Sequence, residues 1–445
     1  MPPATSATLS IPRGVALYVG ALLGPGLLML PGLAAETAGP ASVLAWTGLL
    51  AVSALFAIVF TALGTRLPGG GGVIAYAAAG LGPRVGRAVG RCFLTGVVLG
   101  APVVCMIGAG YVISLIGGGR VATALVAALL LACVIALTLA GARTGTTVQM
   151  ILVGLLLAVI VVAVAGSAHA SRAANWSPFA PHGWSAVGTA ASVLMLSFVG
   201  WEAVAPLTAR LANPRRSLPR ITAVAFAVTA VVYLALATTV VAVLGARAQS
   251  PVPVADLLRV AVGEPGPWIA AGAAVLLTFA AINAYLTGGV ALAAHLRGTT
   301  EGRIPYFFAA IAAAGVVELG AEALGLLDTA RMVTLPTSLF LVVYVGSMAS
   351  ATRLLRGALR CVAAVACAAS VVVLVFSGPA ALLAVAVIAV ALMTPHRTPL
   401  RTGDQDSYTP RTTAGSGGET IRVRMSRPAG PSPARGGPGP RAARM

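Results

Sequence analysis

The chain has 445 residues, of which 58% are hydrophobic and only 9% charged, and its mean hydropathy is +0.95. A water-soluble core of this size needs a charged shell that these residues cannot supply, so the composition excludes an ordinary globular protein and indicates a polytopic helical membrane protein. The 29 basic residues are all arginine and stand against 11 acids; the resulting charge of +18 gathers beside apolar stretches and in the segment 395–445.

Apolar runs of about 17–25 residues, long enough to cross about 30 Å of hydrocarbon, fall at 14–38, 41–64, 85–116, 121–140, 146–166, 187–209, 221–245, 268–296, 304–327, 329–351, 359–376 and 379–393. Twelve spans are therefore expected, after a short N-terminal segment 1–13 without a cleavable signal peptide. The ninth carries two acids and the twelfth is short. Residues 395–445 are rich in Pro, Gly, Ser, Thr and Arg with few aliphatic side chains to bury, and read as a disordered basic tail attracted to anionic lipid headgroups rather than to nucleic acid.

Two of these runs are interrupted. Gly24-Pro25-Gly26 divides the first, and Ser197-Phe198-Val199-Gly200 divides the sixth. Hydrocarbon offers no partner for freed N–H and C=O groups, so a helix breaks at membrane depth only where protein, water or ligand satisfies them. Two broken helices five spans apart mark the central site of a secondary transporter built from inverted repeats.

Arginines orient the array. With the N-terminus inside, fifteen lie beside cytoplasmic segments ahead of the tail and five on the opposite face, which favours cytoplasmic N- and C-termini in the cell membrane. Trp46, Trp176, Trp184 and Trp268 fall at the outer boundary, where an aromatic belt is expected. The five cysteines, Cys92, Cys105, Cys133, Cys361 and Cys367, lie in or beside spans and read as small packing residues, with neither disulfide nor metal spacing. His169, His182, His295 and His396 lack Cys, Asp or Glu companions, so no enzyme site, metal or cofactor is expected.

Four motifs carry a resemblance. Gly20-Ala-Leu-Leu-Gly24-Pro-Gly26-Leu-Leu-Met-Leu-Pro31-Gly32 lies in the first span, and Leu67-Pro68-Gly-Gly-Gly-Gly72-Val-Ile-Ala-Tyr76 followed by Gly82 lies in a loop after the second. Ser197-Phe-Val-Gly200-Trp-Glu202 lies in the sixth, with Asn213-Pro214-Arg-Arg-Ser-Leu-Pro219-Arg220 after it. Together they resemble the amino acid–polyamine–organocation (APC) superfamily of permeases, and within it the bacterial methionine and branched-chain amino acid exporters, from about residue 10 to residue 390. The resemblance implies an all-α, LeuT-like fold of two inverted five-helix repeats, about 14–166 and 187–351, with spans 1 and 6 broken, and accessory helices about 359–393, the whole transporter domain being 14–394.

Broken helices present polar main chain to a zwitterion. A half-helix that starts at the first break offers N–H groups and the positive end of its dipole to a carboxylate, and freed carbonyls accept from an ammonium group. By resemblance, Gly24, Pro25 and Gly26 hold the carboxylate and the carbonyls of Leu22, Leu196 and Val199 hold the amine, with Ser197, Phe198 and Gly200 completing the second break. Tight packing through small residues is the alternative for Gly24 and Gly26. Asn283 contacts either the substrate or a neighbouring helix.

The chain departs from the family pattern in three places. Pro25 replaces a small hydroxyl residue and removes one N–H, Leu196 stands where some basic-amino-acid antiporters carry an aromatic gate, and Arg210 replaces an acid that serves a cytoplasmic salt bridge. Aliphatic neighbours Val193, Leu194 and Met195 favour a neutral apolar substrate.

Three acids lie within spans, where an ionised carboxylate costs about 2.5–3.5 kcal/mol. Glu202, directly after the second break, is the candidate for proton coupling, the alternative being a protonated side chain bonded to a loose carbonyl. Glu318 and Glu322, four residues apart, are expected to line a polar seam or reach toward the outer surface. Sodium coupling is disfavoured, because the eighth span offers Ala280-Ala281 flanked by Thr278 and Asn283.

The expected function is a secondary transporter of small neutral apolar amino acids, exporting by proton-coupled alternating access. Its partners are the amino acid, protons and membrane lipids, without nucleic acid. The alternatives are an uptake permease or exchanger of the same fold, and a sensor that binds without transporting.

Overall fold

The computed structural model describes residues 9–67, 72–141, 145–203, 208, 211–297 and 305–394. Expectations for the tail, for Arg210, and for the glycines at 69–71 lie outside them.

Proline has no N–H to donate and its ring crowds the carbonyl one turn back, and at Pro25, set between two glycines, the first apolar run divides, whereas α2 passes Pro31 without a break. It divides into α1 (Ile11–Leu22) and α2 (Gly26–Ala38), with Leu23 at φ −83°, ψ 71° between them. In the sixth run α8 (Ser185–Leu194) tightens to a 3-10 turn over Met195–Phe198. Val199 is then extended, Gly200 sits at φ +141°, and a second 3-10 turn covers Trp201–Ala203. Only glycine suits this position, because a Cβ on Gly200 would lie 2.5 Å from the Ala21 carbonyl oxygen across the two breaks.

The remaining spans are α3 (Ser42–Arg66), α5 (Pro83–Ile116), α6 (Arg120–Leu139), α7 (Thr146–Ser167), α9 (Pro214–Thr239), α11 (Pro265–Arg297), α12 (Pro305–Ala323), α13 (Thr329–Leu354), α14 (Ala358–Phe376) and α15 (Pro379–Met393). Among the described residues, nine helical segments are long and apolar enough to cross a bilayer, accompanied by shorter apolar helices. Two helices were not anticipated. The loop expected after the second span contains α4 (Gly72–Leu81), and α10 (Pro253–Val262) precedes the eighth span, burying Val254, Leu257 and Leu258 on one face.

Packing follows the number five. The α2 half of the first span lies against α8, α3 against α9, α5 against α11, and α6 against α12. Each of the first four spans thus touches the span five places later, as two inverted five-span repeats bring about. Small residues allow the close approaches: Gly108 of α5 faces Thr278 of α11, Gly96 faces the Phe340 ring of α13, and Gly86 of α5 lies against the Ile74 carbonyl of α4.

Three expectations are corrected. Trp46 is no belt residue: it is fully buried one turn into α3, stacked on Phe198 and Tyr233 at 5.8 and 4.9 Å. Trp184 and Trp268 are exposed as a belt requires. Cys92 and Cys105 are buried, but Cys133 and Cys361 lie on exposed helix faces rather than in the core. Glu318 and Glu322 do not reach the surface: both are buried, since α12 turns that face toward α5 and α6.

Candidate functional site

The two breaks meet, and one phenol joins them. Tyr233 of α9 places its hydroxyl 2.7 Å from the Leu22 carbonyl and 2.6 Å from the Ser197 carbonyl, so its single proton serves the last carbonyl of α1 and a carbonyl within the tightened end of α8. This is how the fold meets the demand that freed backbone groups find partners. At the first break Gly24 N–H turns back to the Leu22 carbonyl at 3.0 Å, and Leu27 N–H and Leu28 N–H take the Gly24 and Pro25 carbonyls at 3.1 and 3.0 Å. Gly26, first residue of α2, has by position an N–H without an intrahelical acceptor.

Against these breaks lies a narrow cavity of about 40 Å³, room for a few waters. Leu22, Gly24, Pro25, Gly26, Leu196, Ser197 and Val199 line it, all singled out in the sequence. The opposing wall comes from elsewhere: Gly96, Gly100 and Val104 of α5, Tyr285 of α11 and Phe340 of α13. Nothing about these residues' own segments marks them, and only the packing of α5, α11 and α13 brings them to the breaks. Ser197 Oγ is buried and has no hydrogen-bond partner among the described residues. A Cβ on Gly24 would meet nothing within 4 Å, whereas one on Gly26 would come to 3.1 Å from Leu30 Cδ1 and 3.5 Å from Ser197 Oγ.

Three singled-out residues stand outside the cavity lining. Phe198 points into the aromatic stack with Trp46 and Tyr233. Gly200 makes the close crossing with Ala21. Asn283 donates through Nδ2 to Thr138 Oγ1 of α6 at 3.2 Å, and its neighbour Tyr285 reaches the cavity instead.

Glu202 bends back over the second break. Its Oε2 accepts from Gly200 N–H at 3.0 Å and from the Tyr344 hydroxyl of α13 at 2.7 Å, and the Tyr344 oxygen in turn accepts from Gly200 N–H and Trp201 N–H at 3.2 and 3.3 Å. The Trp201 end is tied further: its carbonyl accepts from Tyr18 at 3.1 Å, and its indole donates to Ser53 at 2.7 Å. Half-helix α2 is tied to α5 by the Tyr111 hydroxyl on the Leu28 carbonyl at 2.7 Å. Tyr233, Tyr344 and Tyr18 thus hold main chain that unwinding releases, and Tyr111 anchors the first turn of α2. The sequence signal for them is only an aromatic residue within an otherwise aliphatic span.

An all-helical polytopic membrane protein with two facing interruptions around a main-chain-lined cavity defines the class of secondary transporters. The chain belongs to the amino acid permease family, whose model matches residues 9–394. It is 30% identical over 358 residues to an uncharacterized amino acid permease, YecA, of Bacillus subtilis, covering 77% of this chain and 84% of that one. It is 32% identical over 283 residues to the L-methionine/branched-chain amino acid exporter YjeH of Escherichia coli, covering 62% and 67%. A branched-chain amino acid permease of Bacillus subtilis, BcaP, is 26% identical over 49% of this chain and 51% of its own. The relatives are transporters, and the protein is a transporter of amino acids rather than an enzyme.

Proposed function

We propose that the protein exports small neutral apolar amino acids of the methionine and branched-chain type, coupled to protons, from a cell membrane in which both termini face the cytoplasm. The observation that carries this reading is the cavity beside the Tyr233 bridge, which main chain, Ser197 Oγ and the Tyr285 phenol line together with the apolar walls Leu22, Val97, Val104, Leu196, Val199 and Phe340. Main chain can hold the α-amino and α-carboxyl groups common to all amino acids, and aliphatic walls select an uncharged side chain. The first-turn N–H of α2 with its helix dipole suits the carboxylate. Among the described residues, no acid lines the cavity to pair a basic substrate.

With room for only a few waters, the cavity takes a substrate when the unit made of α1, α2, α3, α8 and α9 moves against α5, α11 and α13. Glu202 sits on that seam, bonded to its own break on one side and to Tyr344 on the other. Movement that opens the Tyr344 contact admits water to the carboxylate, and closing it expels water again. Protonation then varies with the state of the transporter, which is what coupling to a proton gradient requires. Export is favoured over uptake by the identity with the methionine and branched-chain exporter, which extends over a longer stretch than that with the branched-chain permease.

The test loads cells with methionine- or leucine-containing dipeptides and follows amino acid efflux with the intact protein and with Gly26→Leu. Efflux should fall to the level of cells lacking the protein in Gly26→Leu, which fills the cavity; equal efflux removes the breaks from the route. Purified protein that binds leucine in vesicles yet moves none under a proton gradient would establish the sensor instead.

A further inference from the structure

A second and larger space lies beside α3 and α9, its Phe226 wall packed 6.3 Å from the Trp201 ring next to the second break. It is a crevice of about 730 Å³ between α3, α9 and the start of α14. Its walls are Ala54, Ala57 and Ile58 on one side and Ala223 and Phe226 on the other, with Leu359 at the margin, and a hydrogen bond of 3.0 Å between Thr61 and Thr222 closes its floor. Ile58 and Ala223 are exposed, so the crevice opens where these spans meet the surroundings.

One end is cationic. Arg66, in the last turn of α3, and Arg215, in the first turn of α9, both border the crevice, and among the described residues no Asp or Glu does. Neither arginine is in an ion pair among the described residues. Arg66 spends one of its five donors on the Leu354 carbonyl at 3.2 Å, and Arg215 adds five more beside the positive end of the α9 dipole. From Ala54 to Arg66 the groove runs about 18 Å along α3 at 1.5 Å per residue. One leaflet of hydrocarbon is about 15 Å deep. The groove therefore has the length of a single acyl chain, with two guanidinium groups where a headgroup phosphate would stand.

We propose that this crevice is a binding site for one anionic phospholipid, its phosphate held by Arg66 and Arg215 and an acyl chain lying against Ala57, Ile58, Ala223 and Phe226. Charge complementarity selects this occupant. The basic segment 395–445, with nine arginines, is repelled by the same two side chains, and a zwitterionic lipid gains less from them.

Native mass spectrometry of the purified full chain, titrated with phosphatidylglycerol or with phosphatidylcholine of the same chains, tests the site. One phosphatidylglycerol should bind at a concentration at least tenfold below that needed for phosphatidylcholine. R66Q/R215Q should erase that preference, and A223W, which fills the groove and leaves the charges, should abolish retention of either lipid; I58W on the facing wall serves if A223W fails to fold. A full-length protein with the nine tail arginines changed to glutamine should bind like the wild type. Equal binding of the two lipids, unchanged preference in R66Q/R215Q, or loss of preference in the tail variant would each overturn the proposal.

Discussion

Tyr344 donates to Glu202 at 2.7 Å while its own oxygen accepts the N–H groups of Gly200 and Trp201, so one side chain of α13 holds both the acid and the main chain of the second break. If this contact carries proton coupling, E202Q should retain exchange of internal for external leucine but lose accumulation driven by a proton gradient. Y344F should leave the acid in place and shift the pH dependence of efflux. Both are read in vesicles with defined internal and external pH, and unaltered gradient-driven flux in E202Q would exclude the role.

Tyr233→Phe removes one oxygen and takes from the Ser197 carbonyl its Tyr233 donor, while the Leu22 carbonyl keeps Gly24 N–H at 3.0 Å. A buried acceptor stripped of its partner costs about 1–3 kcal/mol. The variant should unfold at lower temperature in detergent, and leucine should partly restore it, because the ammonium group of a bound substrate would occupy the same carbonyls. Thermal unfolding with and without leucine measures both effects.

Two glycines at the breaks should respond oppositely to alanine. Gly200→Ala puts a Cβ 2.5 Å from the Ala21 carbonyl oxygen at φ +141°, so it should cost more than about 2 kcal/mol and yield little folded protein. Gly24→Ala meets nothing within 4 Å and should fold normally. Its methyl group narrows the cavity, so efflux of methionine and leucine should fall more than that of alanine.

Glu318 buries both carboxyl oxygens without a hydrogen-bond partner among the described residues, and Glu322 buries one in the same condition. Replacing an unsatisfied buried polar group with an apolar one of similar volume removes a desolvation cost. Glu318→Met should therefore raise thermal stability by about 1–3 kcal/mol with leucine efflux retained. A drop in efflux at undiminished stability would show that the acid serves transport.

Membrane composition, apolar run length and two interruptions in the pattern were enough to read an all-helical array with spans 1 and 6 broken, because hydrocarbon forces backbone pairing into the helix itself and makes each exception visible. Gly24, Pro25 and Gly26 were legible as candidates because glycine and proline state their conformational preferences locally, and Ser197 because it opens the interruption that ends at Gly200. Helices α4 and α10 were not, since ten residues are too few to register as a span.

Half of the cavity was also hidden, and this half depended on tertiary structure alone. Gly96, Val104, Tyr285 and Phe340 differ in no way from packing residues until α5, α11 and α13 cross the breaks. Tyr233, Tyr344, Tyr18 and Tyr111 look equally ordinary in the chain, yet each satisfies a backbone group that its own helix does not contain. Local sequence determines where a helix must stop; which distant side chain supplies the missing hydrogen bond is decided by packing, because that donor and acceptor become neighbours only when the spans assemble.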